Sequence, residues 1–382
     1  MARLTGLNEK LAIAMWDTGW LTRHYKYGSF ENWDTALDGL VERGYNAIRI
    51  DAFPHLAAKG PDGVLLERFY RSRGKDLKME HPWRNAWGTY LEPRKGLLEF
   101  LPKCKERGVK VGLSTWFPDV REGRHEAIQG IDEFVRIWDE TLRFLDEHGL
   151  LDNIIYVDLL NEYPLWHDFE WLHLMLKTMS IPKPQVGRRF NQKQFGFYDS
   201  FATESICRLK ILWPKIDFFF CFTRGSSVAW SDMNLKEFAA LDVHVWFVQN
   251  PDFANSIGYH KIHDMTGDDE GYENCMKALE EQWPARKNEL SRWIYLEMKK
   301  VSDVGKKLSI PYGNTEGWGP INWREHPLLN WDFLKEAGKI CATFGSELGY
   351  KFNCSSNFTH PQFAGLWNDI AWHKEVTSII KG

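Results

Sequence analysis

Two glutamates end separate apolar runs and could act together on one substrate. Glu162 closes the run Ile154–Glu162 (IIYVDLLNE), and Glu316 closes the run Ser309–Glu316 (SIPYGNTE). Two carboxylic acids that face each other across a cleft can divide the work of breaking a glycosidic bond. One protonates the leaving oxygen, and the other attacks or stabilises the anomeric carbon. The two glutamates are therefore the first candidates for a catalytic pair.

Further polar and aromatic side chains lie at or near the ends of similar runs. They are candidates for contacts with a substrate that carries hydroxyls, because aromatic rings offer a flat apolar face and polar groups offer hydrogen bonds. Packing in the core explains any single tryptophan equally well, since the chain has 19 of them. The candidates are Asn161, Arg49, Asp17, Trp16, Trp116, His244, Trp246, Tyr312, Asn314, Trp318 and Trp367.

Two of these candidates also have structural explanations that the sequence leaves open. Arg49 could pair with a buried carboxylate such as Asp51 or Asp158 instead of binding a substrate. His244 could line a pocket, or it could be a core histidine with satisfied hydrogen bonds.

The run that ends at Glu316 is predicted to alternate its side chains with the two-residue period of a strand. Tyr312, Asn314 and Glu316 would then face the same side. We therefore expect Tyr312 and Asn314 to lie beside the candidate acid.

Eight apolar runs alternate with longer amphipathic segments, which predicts eight strands that are each followed by a helix. Strict alternation predicts a parallel sheet, and eight units predict an α/β fold of the closed (β/α)8 TIM barrel type. The predicted strands are Leu11–Trp16, Tyr45–Asp51, Val109–Phe117, Ile154–Glu162, Ile216–Thr223, Leu241–Phe247, Ser309–Glu316 and Lys351–Asn357. The predicted helices are Glu31–Arg43, Pro93–Arg107, Ile128–Glu147, Gln194–Leu212, Leu235–Ala240, Tyr272–Lys307, Trp331–Leu348 and Ile370–Lys381.

An open, doubly wound sheet is the alternative to the closed barrel. It is disfavoured because no glycine-rich phosphate loop follows the first strand, where Asp17–Thr22 reads DTGWLT. No repeat or low-complexity tract marks a boundary, so residues 1–382 are expected to form a single domain.

The barrel prediction places the two glutamates together. The C-terminal ends of all strands converge at one mouth, and the fourth and seventh strands lie on facing sides of it. Long connections are expected after the second, fourth and sixth strands, and Ala52–Leu91 and Tyr163–Gln192 are two of them. Trp83 and Trp87, in the first of these loops, could form a wall over the cleft.

Charge and composition exclude several classes of partner. The 48 basic and 52 acidic side chains give a formal net charge of −4, so there is no electrostatic case for binding nucleic acid or an anionic membrane. No apolar stretch approaches the roughly 18–20 residues of a membrane helix, and the start has no signal-peptide cleavage site. We therefore expect a cytoplasmic protein. The six cysteines are widely spaced without a CxxC pair, which predicts buried free thiols.

Other chemistries fail on the spacing of their motifs. His125–Gln129 (HEAIQ) begins like a zinc-protease HExxH motif but lacks the second histidine, and the first strand carries no HxH pair. Gly345–Gly349 (GSELG) places its serine one position too early for a GxSxG elbow. No metal and no cofactor are expected.

An Asn-Glu pair at the end of the fourth strand, with a second Glu ending the seventh, resembles the clan A glycoside hydrolases, the family 5 cellulase-like barrels and their relatives. The runs TEGWGP and SSNFTHPQFAGLWNDIAWH resemble more closely a group described as sugar-binding, cellulase-like proteins. One departure is clear. The clan often has Asn-Glu-Pro, whereas Tyr163 here separates Glu162 from Pro164.

The resemblance implies retaining hydrolysis of O-glycosidic bonds in oligosaccharides or small glycosides. Glu162 would be the acid/base, with a raised pKa, and Glu316 the nucleophile, kept ionised with the help of Arg49. Asn161 would contact the 2-hydroxyl of the sugar.

The resemblance also implies that His244 and Tyr312 line the same subsite and that the partner is a carbohydrate substrate. Long loops could close one end of the cleft, which would favour exo-action. Two alternatives stay open, a barrel that binds carbohydrate without cleaving it and a transglycosylase that uses the same residues.

Overall fold

The computed structural model describes residues 3–71, 88–164, 169–182, 190–224, 230–261, 269–322 and 325–382. Strands and helices alternate along these ranges as the sequence predicts. The strands are β1 (Leu11–Asp17), β2 (Ala47–Asp51), β3 (Phe69–Arg71), β4 (Thr89–Leu91), β5 (Lys110–Ser114), β6 (Ile154–Asp158), β7 (Phe218–Phe219), β8 (Phe222–Thr223), β9 (Leu241–Trp246), β10 (Tyr312–Asn314), β11 (Gly317–Trp318) and β12 (Phe352–Cys354).

The main sheet is parallel and closes on itself. Its strand order is β11-β9-β10-β12-β1-β2-β5-β6-β7, and β8 also pairs with β9. β7 and β8 belong to one segment, residues 218–223, which pairs with β6 through β7 and with β9 through β8. This segment supplies the fifth strand position and joins the two ends of the sheet. The predicted (β/α)8 barrel is confirmed, and the open sheet is excluded.

The long helices agree with the predicted ones to within three residues at each end. One prediction is wrong, because Leu235–Ala240 contains only a single turn of 3-10 helix, Leu235–Glu237. The helices are α1 (Gly19–Thr22), α2 (Trp33–Glu42), α3 (Pro54–Ala57), α4 (Pro93–Glu106), α5 (Ile131–Glu147), α6 (Glu170–Thr178), α7 (Gln192–Leu212), α8 (Pro251–Ser256), α9 (Asp269–Leu308), α10 (Trp331–Leu348), α11 (Ala364–Trp367) and α12 (Ile370–Lys381).

Glycine ends two of the barrel helices as the sequence predicts. Gly44 after α2 has φ +84° and Gly108 after α4 has φ +67°, a left-handed conformation that costs glycine little. Each glycine turns the chain into the next strand, which sets where β2 and β5 begin.

The strands of the main sheet are buried on both faces, which explains their continuous apolar runs. All seven residues of β1 are buried. Inside the barrel the ring of Tyr156 on β6 fills the space over Gly112 on β5, where an added Cβ would lie 2.0 Å from the ring. Of the six cysteines, five are buried and none forms a disulfide, as predicted.

The long connections at the mouth contain structure of their own. The connection after β2 carries α3 and an antiparallel hairpin of β3 and β4. The connection after β6 carries α6, and the one after β9 carries α8. Trp83 and Trp87, predicted to wall the cleft, lie outside the described residues. Among the helices of the described ranges, none has the length and apolar character needed to cross a membrane.

Candidate active site

The two predicted acids meet at the mouth of the barrel. Glu162 follows β6 and Glu316 follows β10, the fourth and seventh strand positions, and each is only 6% exposed. An oxygen of each carboxylate lies within 4.8 Å of the other and of a ring nitrogen of His244. The barrel therefore brings together two carboxyl groups that are 154 positions apart in the chain.

His244 of β9 lies between the two acids. Its Nδ1 is 3.0 Å from Oε1 of Glu162 and 3.5 Å from Oε2 of Glu316. On the other side of the ring, Nε2 is 3.3 Å from Oγ1 of Thr315 and 3.8 Å from Oδ2 of Asp242. The ring is wholly buried, so these contacts fix its orientation. The structure thus gives His244 a place in the site rather than in the general core.

Arg49 of β2 supplies a second positive group. Its Nη1 donates to Oε2 of Glu316 at 3.3 Å, and its Nη2 donates to Oγ of Ser114 at 3.0 Å and to Oδ1 of Asn161. Nη2 also lies 3.6 Å from Oδ2 of Asp158. Both interactions that the sequence left open for Arg49 therefore occur. Its guanidinium pairs with the candidate nucleophile, Glu316, and with the buried structural carboxylate of Asp158.

The charges of the site are balanced by these contacts. Burial opposes a charge on the ring of His244, but its interactions with Cys221, Glu316 and Asp242 raise its pKa well above the usual value. Burial raises the pKa of Glu316 to about 7, and the charge of Glu162 adds to this effect while His244 and Arg49 oppose it. The family resemblance implied an environment that keeps Glu316 ionised. The structure instead places its ionisation near neutral pH.

The end of the seventh strand differs from the predicted alternation. The hydroxyl of Tyr312 donates to the carbonyl oxygen of Leu348 at 2.9 Å, at the end of α10, so this side chain faces the helices and does not line the site. Asn314 accepts the backbone N–H of Glu316 through Oδ1 at 2.8 Å. The chain leaves the strand after Asn314, and Thr315 and Glu316 both turn towards His244. The prediction that Tyr312 lies beside Glu316 is wrong, because the two-residue alternation of the strand does not continue through this turn.

Two of the candidate tryptophans are core residues. Trp16 and Trp318 have no exposed surface, and their indole N–H groups donate to the carbonyl oxygens of Thr359 and Cys354. Trp16 packs edge-on against Phe30 at 4.9 Å. A ring without exposed surface cannot stack on a sugar, so the prediction of substrate contact is wrong for both.

Two further tryptophans differ in their surroundings. Trp367 lies under the guanidinium of Arg43 at 4.0 Å, and Arg43 also donates to its carbonyl oxygen at 2.8 Å. These contacts join α11 to the end of α2, just before the start of β2, which is the end of the barrel opposite the mouth. Trp246 ends β9 two residues after His244 but is only 5% exposed.

Trp116 and Asp17 are the candidates that remain at the rim of the site. Trp116 follows β5 and is half-buried, and its backbone N–H donates to Oδ2 of Asp51 at 2.8 Å. Asp17 ends β1 and is 4% exposed. Burial raises the pKa of Asp17, whereas Arg49 and the indole of Trp116 oppose this rise. The charge of Asp17 in turn raises the pKa of Glu316, so the two carboxylates act on each other.

Several polar residues that orient the acids were not among the candidates predicted from the sequence. Asp242 accepts the backbone N–H of Thr315 at 3.0 Å and its hydroxyl at 2.6 Å. Its two-residue spacing from His244 on β9 was a usable signal, since both then face the barrel interior. Ser114 donates to Oδ2 of Asp158 at 2.7 Å. Nothing in the sequence distinguishes this serine from other strand residues.

Within the described ranges, two groups of side chains have the spacing of metal ligands. They are Glu162, His244 and Glu316, and Cys221, Asp242 and His244. In the first group the guanidinium of Arg49 already neutralises Glu316, which disfavours a second cation there. In the second group both oxygens of Asp242 accept hydrogen bonds from Thr315. The arrangement is better suited to holding and moving protons than to binding a metal ion.

Comparisons with known proteins agree with this geometry. A family profile described as "Cellulase-like: Sugar-binding cellulase-like" matches residues 13–381. A solved structure of a proposed glycoside hydrolase from Parabacteroides distasonis ATCC 8503 has 30% sequence identity and a TM-score of 0.83, and covers 98% of this chain and 94% of that one. No curated protein matched the chain.

More distant structures share the fold. Cel5A of Thermotoga maritima, solved in complex with mannotriose, has a TM-score of 0.56 at 11% identity, with 98% of each chain covered. The cellulose synthase subunit Z of Clostridioides difficile also has a TM-score of 0.56, at 9% identity, with 98% of this chain and 100% of that one covered. At these identities the likeness concerns the barrel alone.

Proposed function

This chain belongs to the family of sugar-binding, cellulase-like glycoside hydrolases, and we propose that it cleaves O-glycosidic bonds with retention of anomeric configuration. The observation that carries the proposal is the separation of the two acids. One oxygen of Glu162 and one oxygen of Glu316 lie within 4.8 Å of each other. Retaining enzymes place their carboxyl groups about 5–5.5 Å apart, whereas inverting enzymes need about 6.5–9.5 Å to admit a water.

The contacts of each acid support its role. Glu316 is the nucleophile, because Arg49 at 3.3 Å and His244 at 3.5 Å favour its ionised form and hold one oxygen in place. It attacks the anomeric carbon and forms a covalent glycosyl-enzyme. Glu162 gives its proton to the leaving oxygen in this step, and His244 holds its Oε1 at 3.0 Å.

The second step reverses the proton transfer. Glu162, now ionised, removes a proton from water, and the water oxygen attacks the anomeric carbon and displaces Glu316. His244 contacts both acids and reduces the repulsion between their charges as the proton moves. Asn161, next to Glu162 and held by Arg49, is our candidate for the residue that binds the 2-hydroxyl of the sugar in both steps.

We infer exo-action from the hairpin of β3 and β4, which belongs to the long connection after β2. Nη1 of Arg71, on β3 of the hairpin, donates to Oγ1 of Thr18 at 3.2 Å, and both side chains are buried. This contact holds the hairpin against the end of β1. Digestion of an end-labelled oligosaccharide tests the point, because exo-action shortens it from one end and internal cleavage would overturn the proposal.

The decisive experiment removes each acid in turn. Wild type, Glu162→Ala and Glu316→Ala are incubated with a panel of activated aryl glycosides, with and without azide, and aryl release is followed. We expect azide to restore turnover to both variants, with a retained glycosyl azide from Glu162→Ala and an inverted one from Glu316→Ala. The surface variant Glu289→Gln, which loses only an ion pair to Arg286, is the control.

The first product of the wild type separates the remaining possibilities. A product of the same anomer as the substrate supports the retaining mechanism, and the opposite anomer would overturn it. A sugar that raises the melting temperature without any turnover across the panel would favour a protein that binds carbohydrate and does not cleave it.

A further inference from the structure

Cys221 lies in the break between β7 and β8, where the fifth strand position is interrupted. Its backbone N–H donates to Oδ1 of Asp158 at 2.8 Å, and its carbonyl oxygen accepts the N–H of Tyr163 at 2.9 Å. These two bonds fix the residue against the segment that carries Glu162. The side chain therefore points from a rigid backbone into the barrel interior, where Sγ lies within 4.8 Å of a ring nitrogen of His244.

The thiol contacts both residues of the Asn-Glu pair. The backbone N–H of Glu162 donates to Sγ at 3.1 Å, and Sγ lies 3.4 Å from Oδ1 of Asn161. A thiol has one proton to donate and a sulfur that can accept. Sγ accordingly accepts from Glu162 and donates to Asn161. Burial raises the pKa of the Cys221 thiol well above the usual value, so this proton is retained at neutral pH.

The contact determines which way the carboxamide of Asn161 faces. Oδ1 also accepts from Nη2 of Arg49, and a guanidinium can only donate. With two donors, Arg49 and Cys221, on its oxygen, the amide nitrogen must face the opposite side. The thiol thus adds a second constraint to the orientation that Arg49 sets.

We propose that Cys221 is a positioning residue for the glycosidase reaction. Its thiol hydrogen bonds hold the backbone of Glu162 and the carboxamide of Asn161 in the geometry that the transition state needs. The inference rests on the proposed function, since Asn161 matters to the rate only if it binds the sugar. The thiol itself is wholly buried, and it acts on the reaction through its neighbours Glu162 and Asn161.

Three variants separate hydrogen bonding from packing. Cys221→Val keeps nearly the volume of the side chain but removes both hydrogen bonds, whereas Cys221→Ser keeps a donor and an acceptor. We expect kcat of Cys221→Val to fall by about tenfold, the value of one or two weak hydrogen bonds, with KM changed less than about twofold. Cys221→Ser should stay within about threefold of wild type. Cys341→Val, at another wholly buried cysteine on α10, is the matched control and should leave kcat unchanged.

A double-mutant cycle identifies the residue through which Cys221 acts. If Cys221 orients Asn161, then Cys221→Val should cost much less when it is added to Asn161→Ala than when it is made alone. The same loss of effect is expected when wild type and Cys221→Val are compared on a 2-deoxy aryl glycoside.

Three results would overturn the proposal. They are an unchanged kcat in Cys221→Val, an equal loss in Cys221→Ser and Cys221→Val, and fully additive effects with Asn161→Ala. Wild type and Glu162→Ala measured on the same substrate report separately on the proposed function. If the wild type cleaves the substrate and Glu162→Ala does not, the proposed function is supported even where Cys221→Val has no effect.

Discussion

The Nδ1 atom of His244 contacts both acids of the site, at 3.0 Å from Glu162 and at 3.5 Å from Glu316. Carboxylates this close repel each other when both are ionised, and a protonated ring between them lowers the cost. The protons of the three side chains are therefore shared, and each step that moves one changes the charge seen by the others. We propose that His244 couples the ionisation of Glu162 to that of Glu316.

This coupling makes activity depend on pH near neutrality. Burial, with the charge of Glu162, raises the pKa of Glu316 to about 7, and only the ionised form is nucleophilic. We expect kcat/KM to rise with pH through an acidic limb centred near pH 7, because this ratio reports the ionisations of the free enzyme. In His244→Asn the positive ring is lost, so the limb should move to higher pH by about one unit.

A matched histidine provides the control for this shift. His373 on α12 is also buried, but its ring contacts Tyr45 and Leu366 and not the acids. His373→Asn should leave the limb where it is, whatever it does to the melting temperature. A limb that does not move in His244→Asn would show that the ring carries no positive charge beside Glu316.

The barrel and the acid pair were predictable because both depend on local patterns. Each strand is a buried apolar run, each helix is amphipathic, and glycines such as Gly44 and Gly108 separate them. A parallel barrel then has one mouth, so the ends of the fourth and seventh runs identify Glu162 and Glu316 without knowledge of any contact. The strand order of the barrel therefore brings these two side chains close together.

The direction of individual side chains was not predictable in the same way. The prediction for Tyr312 was wrong because the strand ends at Asn314, and the turn that follows reverses the alternation of side chains. The prediction for Trp16 was wrong because an indole N–H at the end of a strand can equally donate a hydrogen bond to a backbone carbonyl, here that of Thr359. The role of Cys221 depends on a break within the fifth strand position, and an apolar run in sequence does not reveal such a break.

Removing the charge of Glu316 should stabilise the protein at high pH. The pKa of Glu316 is about 7 in the folded chain, compared with an ordinary value of 4.5. A carboxyl whose pKa is raised by folding contributes stability below about pH 4.5, and this contribution is lost as the pH rises through about 7. Glu316→Gln stays neutral throughout, so it should melt higher than wild type at pH 8, by roughly a few degrees.

The size of this difference should itself depend on pH. At pH 5 wild-type Glu316 is largely protonated, and its melting temperature should approach that of Glu316→Gln. Glu289→Gln gives the opposite control, since its ion pair with Arg286 lowers the pKa of Glu289. An equal gain for Glu316→Gln at both pH values would contradict the assigned ionisation.

Trp116 and Trp16 should separate binding from folding. Trp116 is the half-buried ring at the rim, so Trp116→Ala should raise KM by about tenfold, with a small change in melting temperature. Trp16→Phe removes the hydrogen bond to the carbonyl of Thr359 and part of the core packing. We expect it to lower the melting temperature and leave KM unchanged. Steady-state kinetics and thermal unfolding of both variants check the contrast.

Asp17 should shift the pH profile in the direction opposite to His244. Its carboxylate is 4% exposed, and its negative charge raises the pKa of Glu316. Asp17→Asn removes that charge while keeping the shape of the side chain, so the acidic limb of kcat/KM should move to lower pH, by less than one unit by the scale of a single partly screened charge. A shift upward, or none, would mean that Asp17 acts on the substrate alone. Opposite shifts in two variants cannot come from a general loosening of the site, because loosening would weaken the effect of both charges on Glu316 together.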